Sequence, residues 1–323
     1  MASKSRLWLW GSVVGLALAI PLWNVGNKAL NFEAAAEKPV AEELVAEELA
    51  AEESLDSDAS RQTLAQSDGI GLKATDNDSV LTAIAPSQVI YLAETHSDPA
   101  DHQAQLEIIQ ALSAAGEVAI GLEMFQRPFQ EALDAYLAGE IDEAALIIAS
   151  EYETRWGFDW NFYAPILRYA KENKIPLLAL NTPAEITRKV ARTGLESLEG
   201  DDLRYIPPVS DIDLSDQAYR DWIASVFNAH GGAGHSLNFD NFFAAQVLWD
   251  ETMAERVVEQ LAEQPESQVI VLTGEGHVLN DYGIPDRVER RLPAIVQSSV
   301  QLVPDEQSAN ADAVDFVWVT GGQ

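Results

Sequence analysis

The chain has 323 residues, of which 47% are hydrophobic and 22% are charged, so it is long enough for one large globular domain with appendages. Its formal net charge of −32 argues against a nucleic-acid partner and against binding to an anionic membrane surface. Because it contains no cysteine, disulfides, iron–sulfur clusters, thiolate zinc sites, a cysteine nucleophile and a lipid-modified cysteine are excluded.

The first 30 residues are typical of a signal peptide or an N-terminal membrane anchor. Lys4 and Arg6 precede an apolar run, LWLWGSVVGLALAIPLW (7–23), whose length lies between those of a signal peptide and a short membrane span. Ala34 and Ala36 offer a small-residue cleavage pattern, and without cleavage the run would stay in the membrane with its positive end inside. We therefore expect an exported protein, periplasmic or membrane-anchored, with its domain outside the cytoplasm.

An acidic low-complexity linker is predicted for 31–79. It repeats Ala-Glu-Glu and carries few basic residues, a composition that buries little apolar surface and stays solvated. The compact domain is expected to span 80–303. The tail, 304–323, would add an edge strand at most.

Within this domain, short apolar runs alternate with longer amphipathic stretches. The runs are VIYLA (89–93), VAIGL (118–122), PLLAL (176–180) and VIVLT (269–273). Nearly continuous apolar runs are typical of strands that are buried on both faces of a parallel sheet. Helices are predicted for 127–138, 141–150, 160–173, 183–193, 215–228 and 240–263. The pattern predicts an α/β fold with a mainly parallel sheet flanked by helices and a helical, loop-rich insertion near 200–240.

A further helix is predicted between the first two strands. Asp98 fits its N-cap, Pro99 its first position and Gly116 its end. Two C-terminal runs, AIVQSSVQLV and DFVWVT, are predicted as edge strands that close the sheet.

Polar side chains follow each of the four predicted strands. Glu94 and His96 follow the first strand, Glu123 the second and Asn181 the third, and the last strand ends in the segment Gly-Glu-Gly-His (274–277). Ligands of open α/β sheets bind in the crevice outside the carboxyl ends of the strands. We therefore expect Glu94, His96, Glu123 and His277 to share a site.

Simpler structural roles stay open for several of these residues. Asn181 before Thr182-Pro183 is favoured as a helix cap, Glu275 fits an ordinary turn, and His102 is expected to be structural or exposed. His230 and His235 flank a glycine-rich loop that is either a mobile lid or a flexible connection without a role in the site. The aromatic stretch RWGFDWNFY (155–163) could pack a helix onto the sheet or form the wall of a site for a flat hydrophobic ligand.

Carboxylates and imidazoles support two kinds of chemistry. His96, Glu123 and His277 could ligate a divalent metal, and the same residues with Glu94 could act as general acid and base. No His-Glu-x-x-His motif, Gly-x-Ser-x-Gly elbow, Gly-x-Gly-x-x-Gly fingerprint or P-loop occurs. A metal site would therefore have to be assembled from separate strand ends.

Five segments, in the same order, resemble the ChaN-like haem-binding proteins, iron-regulated proteins of the Tiki/TraB/erythromycin-esterase-like superfamily. The segments are VIYLAETHSDPADHQAQ, VAIGLEMFQRPFQEALDAYLAGEI, YAPILRYAKENKIPLLALNTPAEITRKVARTG, AAQVLWDETMAERV and VIVLTGEGHVLNDYGIPDRV. The resemblance covers about 80–303. It implies an α/β domain that binds haem and has a role in haem or iron uptake at the cell envelope.

The wider superfamily associates Glu-x-His, Glu and Gly-x-x-His positions with metal-dependent hydrolysis, and these map onto Glu94, His96, Glu123 and the segment 274–277. The chain departs from the family in two places: it has Ala93 where the family usually has glycine, and Glu275 where it usually has asparagine. The added negative charge could favour a cation and disfavour haem propionates nearby.

The candidate haem contacts include four axial ligands, since tyrosine and histidine both ligate haem iron. These four are Tyr205, Tyr282, His230 and His235, and Glu94, His96 and His277 complete the candidate cofactor site. Haem binding at the envelope is the favoured hypothesis, and a metal-dependent hydrolase and a tethered scaffold are the alternatives. Haem and, if the leader is uncleaved, the membrane are the expected partners; nucleic acid is not, and a homodimer is left open.

Overall fold

The computed structural model describes residues 76–229 and 238–321. At its centre lies a sheet of six strands, all paired in parallel, in the spatial order β3-β2-β4-β1-β5-β6. The strands are β1 (Val89–Glu94), β2 (Val118–Gln126), β3 (Leu177–Asn181), β4 (Gln268–Gly274), β5 (Gln297–Val303) and β6 (Phe316–Val319). The predicted α/β fold with a parallel sheet is confirmed.

Helices cover both faces of this sheet. They are α1 (Asn77–Ile84), α2 (Pro99–Ala115), α3 (Gln130–Ala138), α4 (Glu143–Ala149), α5 (Tyr152–Arg155), α6 (Trp160–Asn173), α7 (Ala184–Thr193), α8 (Gln217–Ala229), α9 (Phe239–Glu263) and α10 (Ile284–Arg291). As predicted, the Asp98 carboxylate caps α2 by accepting from the backbone N–H of Ala100, and Gly116 ends the helix. Helices α1, α5 and α10 were not predicted from the sequence pattern.

The described part of the 200–240 insertion combines short 3-10 helices, Gly200–Tyr205 and Val209–Asp211, with α8. The predicted leader, 1–30, and most of the predicted linker, 31–79, lie outside the described residues. Within the described ranges, no helix is both long enough and apolar enough to cross a membrane.

Both faces of the sheet are buried, which explains the continuous apolar runs. Along β1, Ile90 and Leu92 pack into a cluster with α1, α2 and α6, whereas Tyr91 and Ala93 pack on the opposite face against α9 and α10. A third cluster joins α7, α8 and the first half of α9. Since all strand pairs are parallel, the carboxyl ends of the strands meet at one edge of the sheet.

Side-chain amides cap both outer strands of the sheet. Gln130 donates to the carbonyl oxygen of Leu177 at 2.8 Å and accepts from the N–H of Ala179 at 2.8 Å on β3. Asn77 makes the same two-point contact with Val319 of β6, at 3.1 and 3.3 Å. Each amide hydrogen-bonds backbone N–H and C=O groups at an edge of the sheet, with which another strand could otherwise pair. Strand β5, which was predicted at an edge, instead lies between β1 and β6.

Candidate functional site

The four side chains predicted from the strand ends lie at the carboxyl edge of β2, β4 and β1. Glu94 is the last residue of β1, Glu123 lies in β2, and His277 follows β4 in a 3-10 turn. Gly274 of β4 is in register with Glu94, and a Cβ atom added there would lie 2.9 Å from Nε2 of His96. A glycine at this position therefore leaves room for the His96 ring at the end of β4.

Glu94 is fully buried and pairs with His96. The Nδ1 atom of His96 lies 2.7 Å from Oε1 of Glu94, Tyr163 donates its hydroxyl to the same oxygen, and Gln105 donates its amide to Oε2. Burial alone would raise the pKa of Glu94, but the hydrogen bond from His96 and the nearby His102 lower it below its ordinary value. The ionised carboxylate orients the His96 ring so that Nε2 faces the end of β4.

His277 contacts two carboxylates. Its Nδ1 lies 2.6 Å from Oδ1 of Asp250 and its Nε2 lies 3.4 Å from Oε1 of Glu123. Tyr219 donates its hydroxyl to the second oxygen of Asp250 at 2.7 Å. Burial alone would lower the pKa of His277, but the charges of Glu123 and Asp250 raise it to about 10. His277 is therefore an imidazolium at neutral pH.

Glu123 completes the Glu/His cluster, defined as Glu94, His96, Glu123, Asp250 and His277. Oε2 of Glu123 accepts from the Thr273 hydroxyl at 2.7 Å and from the N–H of Gly274 at 2.8 Å. Burial would raise the pKa of Glu123, but the positive charge of His277 outweighs it and lowers the pKa to about 2. For His96, burial would lower the pKa, yet the hydrogen bond to Glu94 and the charge of Glu123 raise it.

This arrangement favours the protonated form of both imidazoles. Each ring is fixed through Nδ1 by a carboxylate, which sets the ring orientation and stabilises its protonated form. Asp250 was not predicted as a site residue. The only sequence signal for it was its place on the same stripe of α9 as Gln246, Trp249 and Met253.

Aromatic rings cover both imidazoles. Trp156 and Phe158 lie 4.7 and 4.9 Å from the His96 ring, and Trp249 lies 5.1 Å from the His277 ring, all measured between centroids. Among the described residues, the indole nitrogens of Trp156 and Trp249 have no hydrogen-bond partner although both atoms are buried. The cluster is thus closed off by apolar ring surface.

The metal prediction for His96, Glu123 and His277 is not supported. In the part of the chain that the structure describes, no group of three or more His, Asp or Glu side chains is arranged to hold a metal ion. The physical reason is that these side chains bind one another or backbone groups: both Nδ1 atoms face carboxylates, and one oxygen of Glu123 accepts two hydrogen bonds.

Three neighbouring residues have structural contacts. Asn181 is not a helix cap; its amide donates to the backbone carbonyl of Glu123 at 2.9 Å and so joins the ends of β2 and β3. His102 is buried, with Nε2 3.0 Å from the carbonyl oxygen of His96. Glu275 accepts from Gln301 of β5 at 2.6 Å.

The aromatic stretch 155–163 mainly packs α6 onto the sheet. Trp160 donates its indole N–H to Glu143 at 2.7 Å, and Phe162 stacks on the ring of His102 at 5.0 Å. Together with Tyr163, which binds Glu94, and the two rings over His96, these residues wall one side of the Glu/His cluster.

A second aromatic surface lies on the third apolar cluster. Five half-buried rings form it in two groups, which we together call the aromatic face: the Trp222 centroid lies 6.3 Å from that of Tyr282, and the Phe227 centroid lies 5.5 and 5.0 Å from those of Phe239 and Phe242. The buried rings of Tyr219 and Phe243 connect the two groups. Tyr282 also lies 5.8 Å from the ring of Tyr219, whose hydroxyl binds Asp250. Tyr219 therefore links the aromatic face to the Glu/His cluster.

Residues 80–288 match the sequence profile of the family described as "Haem-binding uptake, Tiki superfamily, ChaN". The chain belongs to this family. The match covers the sheet from β1 to β4, the Glu/His cluster and the aromatic face.

A curated plant protein is similar to this chain in sequence. The chain is 26% identical over 267 residues to Protein RETICULATA-RELATED 5, chloroplastic, of Arabidopsis thaliana, a match that covers 73% of this chain and 34% of that protein. The chain thus spans about a third of the length of this curated relative.

Two solved structures are similar as well. The structure described as cofacial heme binding to ChaN of Campylobacter jejuni superposes with a TM-score of 0.57 at 17% identity, over 75% of this chain and 90% of that one. A mutant of the erythromycin esterase EreC in its open conformation has a TM-score of 0.43 at 13% identity, over 70% and 72% of the two chains. At 17% identity, the first likeness concerns the fold.

Two of the four predicted axial ligands, Tyr205 and Tyr282, lie within the described residues. Tyr282 lies on the aromatic face, whereas the half-buried ring of Tyr205 lies under the guanidinium of Arg204, 5.0 Å from its centroid. His230 and His235 lie outside the described residues.

Proposed function

We propose that this chain binds haem and takes part in haem or iron uptake or handling at the cell envelope. The observation that carries the proposal is the aromatic face. A porphyrin is a flat apolar ring, and half-buried aromatic side chains offer it stacking and edge contacts over a preformed apolar base. Membership of the haem-binding uptake family supports the same ligand.

Tyr282 is the axial ligand in this proposal. Its phenol belongs to the aromatic face, its ring lies 6.3 Å from that of Trp222, and tyrosine oxygen is an established ligand of haem iron. When bound, haem would supply an iron centre with its own ligation and redox chemistry. The chain would supply the phenol oxygen and the apolar surface that excludes water from one side of the ring.

The residues of the Glu/His cluster are less suited to contact haem. Glu94, His96 and His277 are at most 5% exposed, and each is already paired with a side chain of opposite charge. A planar ring could reach them only by displacing the rings that cover the two imidazoles. We therefore assign haem contact to the aromatic face and a positioning role, through Tyr219, to the cluster.

Envelope location rests on the sequence alone. The apolar run 7–23 behind two basic residues supports export, and the acidic linker would then hold the domain away from the membrane. Cell fractionation of the full chain tests this part: we expect it in the periplasmic or membrane fraction, and recovery in the cytoplasm alone would contradict it.

The haem part is tested by titrating the full chain and two matched variants, Tyr282→Phe and Tyr205→Phe, with haem. Each variant removes one hydroxyl and keeps the ring, so packing is preserved. Tyr282→Phe should lose the charge-transfer absorption of a tyrosine-ligated iron, and Tyr205→Phe should keep it. If Tyr282→Phe bound haem with an unchanged spectrum, the axial assignment would be wrong.

A further inference from the structure

A cavity of about 400 Å³ lies at the end of β3 opposite to the Glu/His cluster. It opens between α3 and the C-terminal half of α9, and Leu177, the first residue of β3, forms part of its wall. Leu177 lies four residues before Asn181, roughly 13 Å along the strand. This volume falls in the lower part of the range for small-molecule pockets. The cavity lies at the end of β3 that is away from the Glu/His cluster, and it borders the C-terminal half of α9, whereas the aromatic face lies at the first half of that helix. It is therefore separate from both.

Gln260 gives this cavity an unpartnered donor. The residue is 3% exposed and lines the cavity, and its side-chain nitrogen has no hydrogen-bond partner among the described residues. A buried N–H group without an acceptor destabilises the fold, and buried amides normally find one. A ligand oxygen in the cavity would satisfy this group.

Two cations lie in the same wall, which is notable in a chain with a net charge of −32. Arg256 is 16% exposed, and its ion pair with Glu259 is long, at 3.5 Å, while Arg127 binds the same carboxylate at 3.1 Å. A guanidinium has five N–H donors, so Arg256 retains donors for a ligand. Lys174, which is exposed at the end of α6, adds a second positive charge.

The edge of β3 argues against a peptide strand as the occupant. The side-chain amide of Gln130, which also lines the cavity, donates a hydrogen bond to the carbonyl oxygen of Leu177 and accepts one from the N–H of Ala179. Added strands bind through such main-chain groups. A small molecule is therefore the better match.

We propose that this cavity binds a small monocarboxylate with a short apolar body. The carboxylate accepts hydrogen bonds from Arg256 and from the amide of Gln260, because charge-assisted bonds to guanidinium are strong and can be bidentate. The apolar body packs on Leu137 and Pro176, which line the same space. The carboxylate of Asp134 at the rim disfavours dianions such as phosphate through charge repulsion.

The experiment measures binding of sodium hexanoate to the full chain by saturation-transfer NMR, at pH 7 and constant ionic strength. Hexanamide, which has the same body without the charge, is the ligand control. The variants are Arg256→Gln, Gln260→Leu and Lys174→Gln, and Arg168→Gln, an exposed arginine on α6 paired with Glu143, is the matched control. Circular dichroism verifies that each variant is folded.

We expect saturable binding of hexanoate that weakens about tenfold in Arg256→Gln, since a charge-assisted pair is lost. Gln260→Leu should weaken it as well, hexanamide should bind far less, and Arg168→Gln should leave it unchanged. Absence of saturable binding, or equal affinity in the wild type and all three cavity variants, would overturn the proposal. Because Lys174 is exposed, hexanoate binding to Lys174→Gln still tests the proposal if Arg256→Gln or Gln260→Leu unfolds the chain. Haem titration of Arg256→Gln should match the wild type, so failure here is distinguishable from failure of the haem proposal.

Discussion

Replacing His277 by glutamine should lower the free energy of unfolding at neutral pH by about 3–5 kcal/mol, the usual cost of removing one partner from a buried ion pair. The imidazolium lies between Asp250 and Glu123, and both carboxylates are buried. Without it, two negative charges would remain close together in a site with little access to water.

The pH dependence of stability should change in the same variant. The pKa of His277 is about 10 in the folded chain and about 6.5 in an unfolded one. Because the folded-state pKa is raised, the stabilisation is fully present below about pH 6.5 and is lost as the pH rises through about 10. At about 1.4 kcal/mol per pH unit this amounts to at most about 5 kcal/mol, an upper value because Glu123 shares the same interaction.

Urea unfolding of the full chain, followed by tryptophan fluorescence between pH 6 and pH 10, measures this effect. The wild type should lose stability across the window more steeply than His277→Gln. Adding Asp250→Asn to the variant should recover part of the loss, since it removes one of the two unpaired charges. Equal slopes for the wild type and His277→Gln would refute the assignment of a buried imidazolium.

Three further predictions concern other parts of the fold. Gly274→Ala should destabilise the chain by about 1–3 kcal/mol, measured by thermal unfolding, because its Cβ would clash with Nε2 of His96; unchanged stability would contradict the close approach. Asn77→Ala and Gln130→Ala should each increase self-association in light scattering, since each uncovers a sheet edge, and a strictly unchanged mass would count against that role. Burial raises the pKa of Asp101 to about 8, so its ionisation costs stability as the pH rises from about 4 to about 8. Asp101→Asn should therefore gain stability relative to the wild type across that window. A difference in the free energy of unfolding between the two proteins that stays constant with pH, measured by urea unfolding, would show that the pKa of Asp101 is not raised.

Much of the fold could be predicted because its signals are local. Continuous apolar runs indicated β1 to β4, and the Asp98, Pro99 and Gly116 signals indicated the bounds of α2. Strand order is a different matter, since it depends on long-range packing. Strand β5 was expected at an edge of the sheet, yet it pairs with β1 on one side and with β6 on the other.

The candidate site could be predicted in part for the same reason. Glu94 ends β1, His96 follows it, and parallel strands end at one edge of the sheet, whereas Glu123 lies inside β2, which runs four residues beyond the predicted end at 122. Asp250 and Tyr163 could not be found in this way, because they come from α9 and α6 and meet the cluster only through the packing of those helices on the sheet. The metal hypothesis failed to gain support because composition alone does not reveal that these side chains pair with each other.

Haem binding is tested most directly by an equilibrium titration of the full wild-type chain with haem, followed through the Soret absorbance, beside an unrelated protein of similar negative charge. We predict a saturable shift at a defined stoichiometry, with a spectrum that changes in Tyr282→Phe. A featureless titration that matches the unrelated acidic protein would contradict haem binding by this chain.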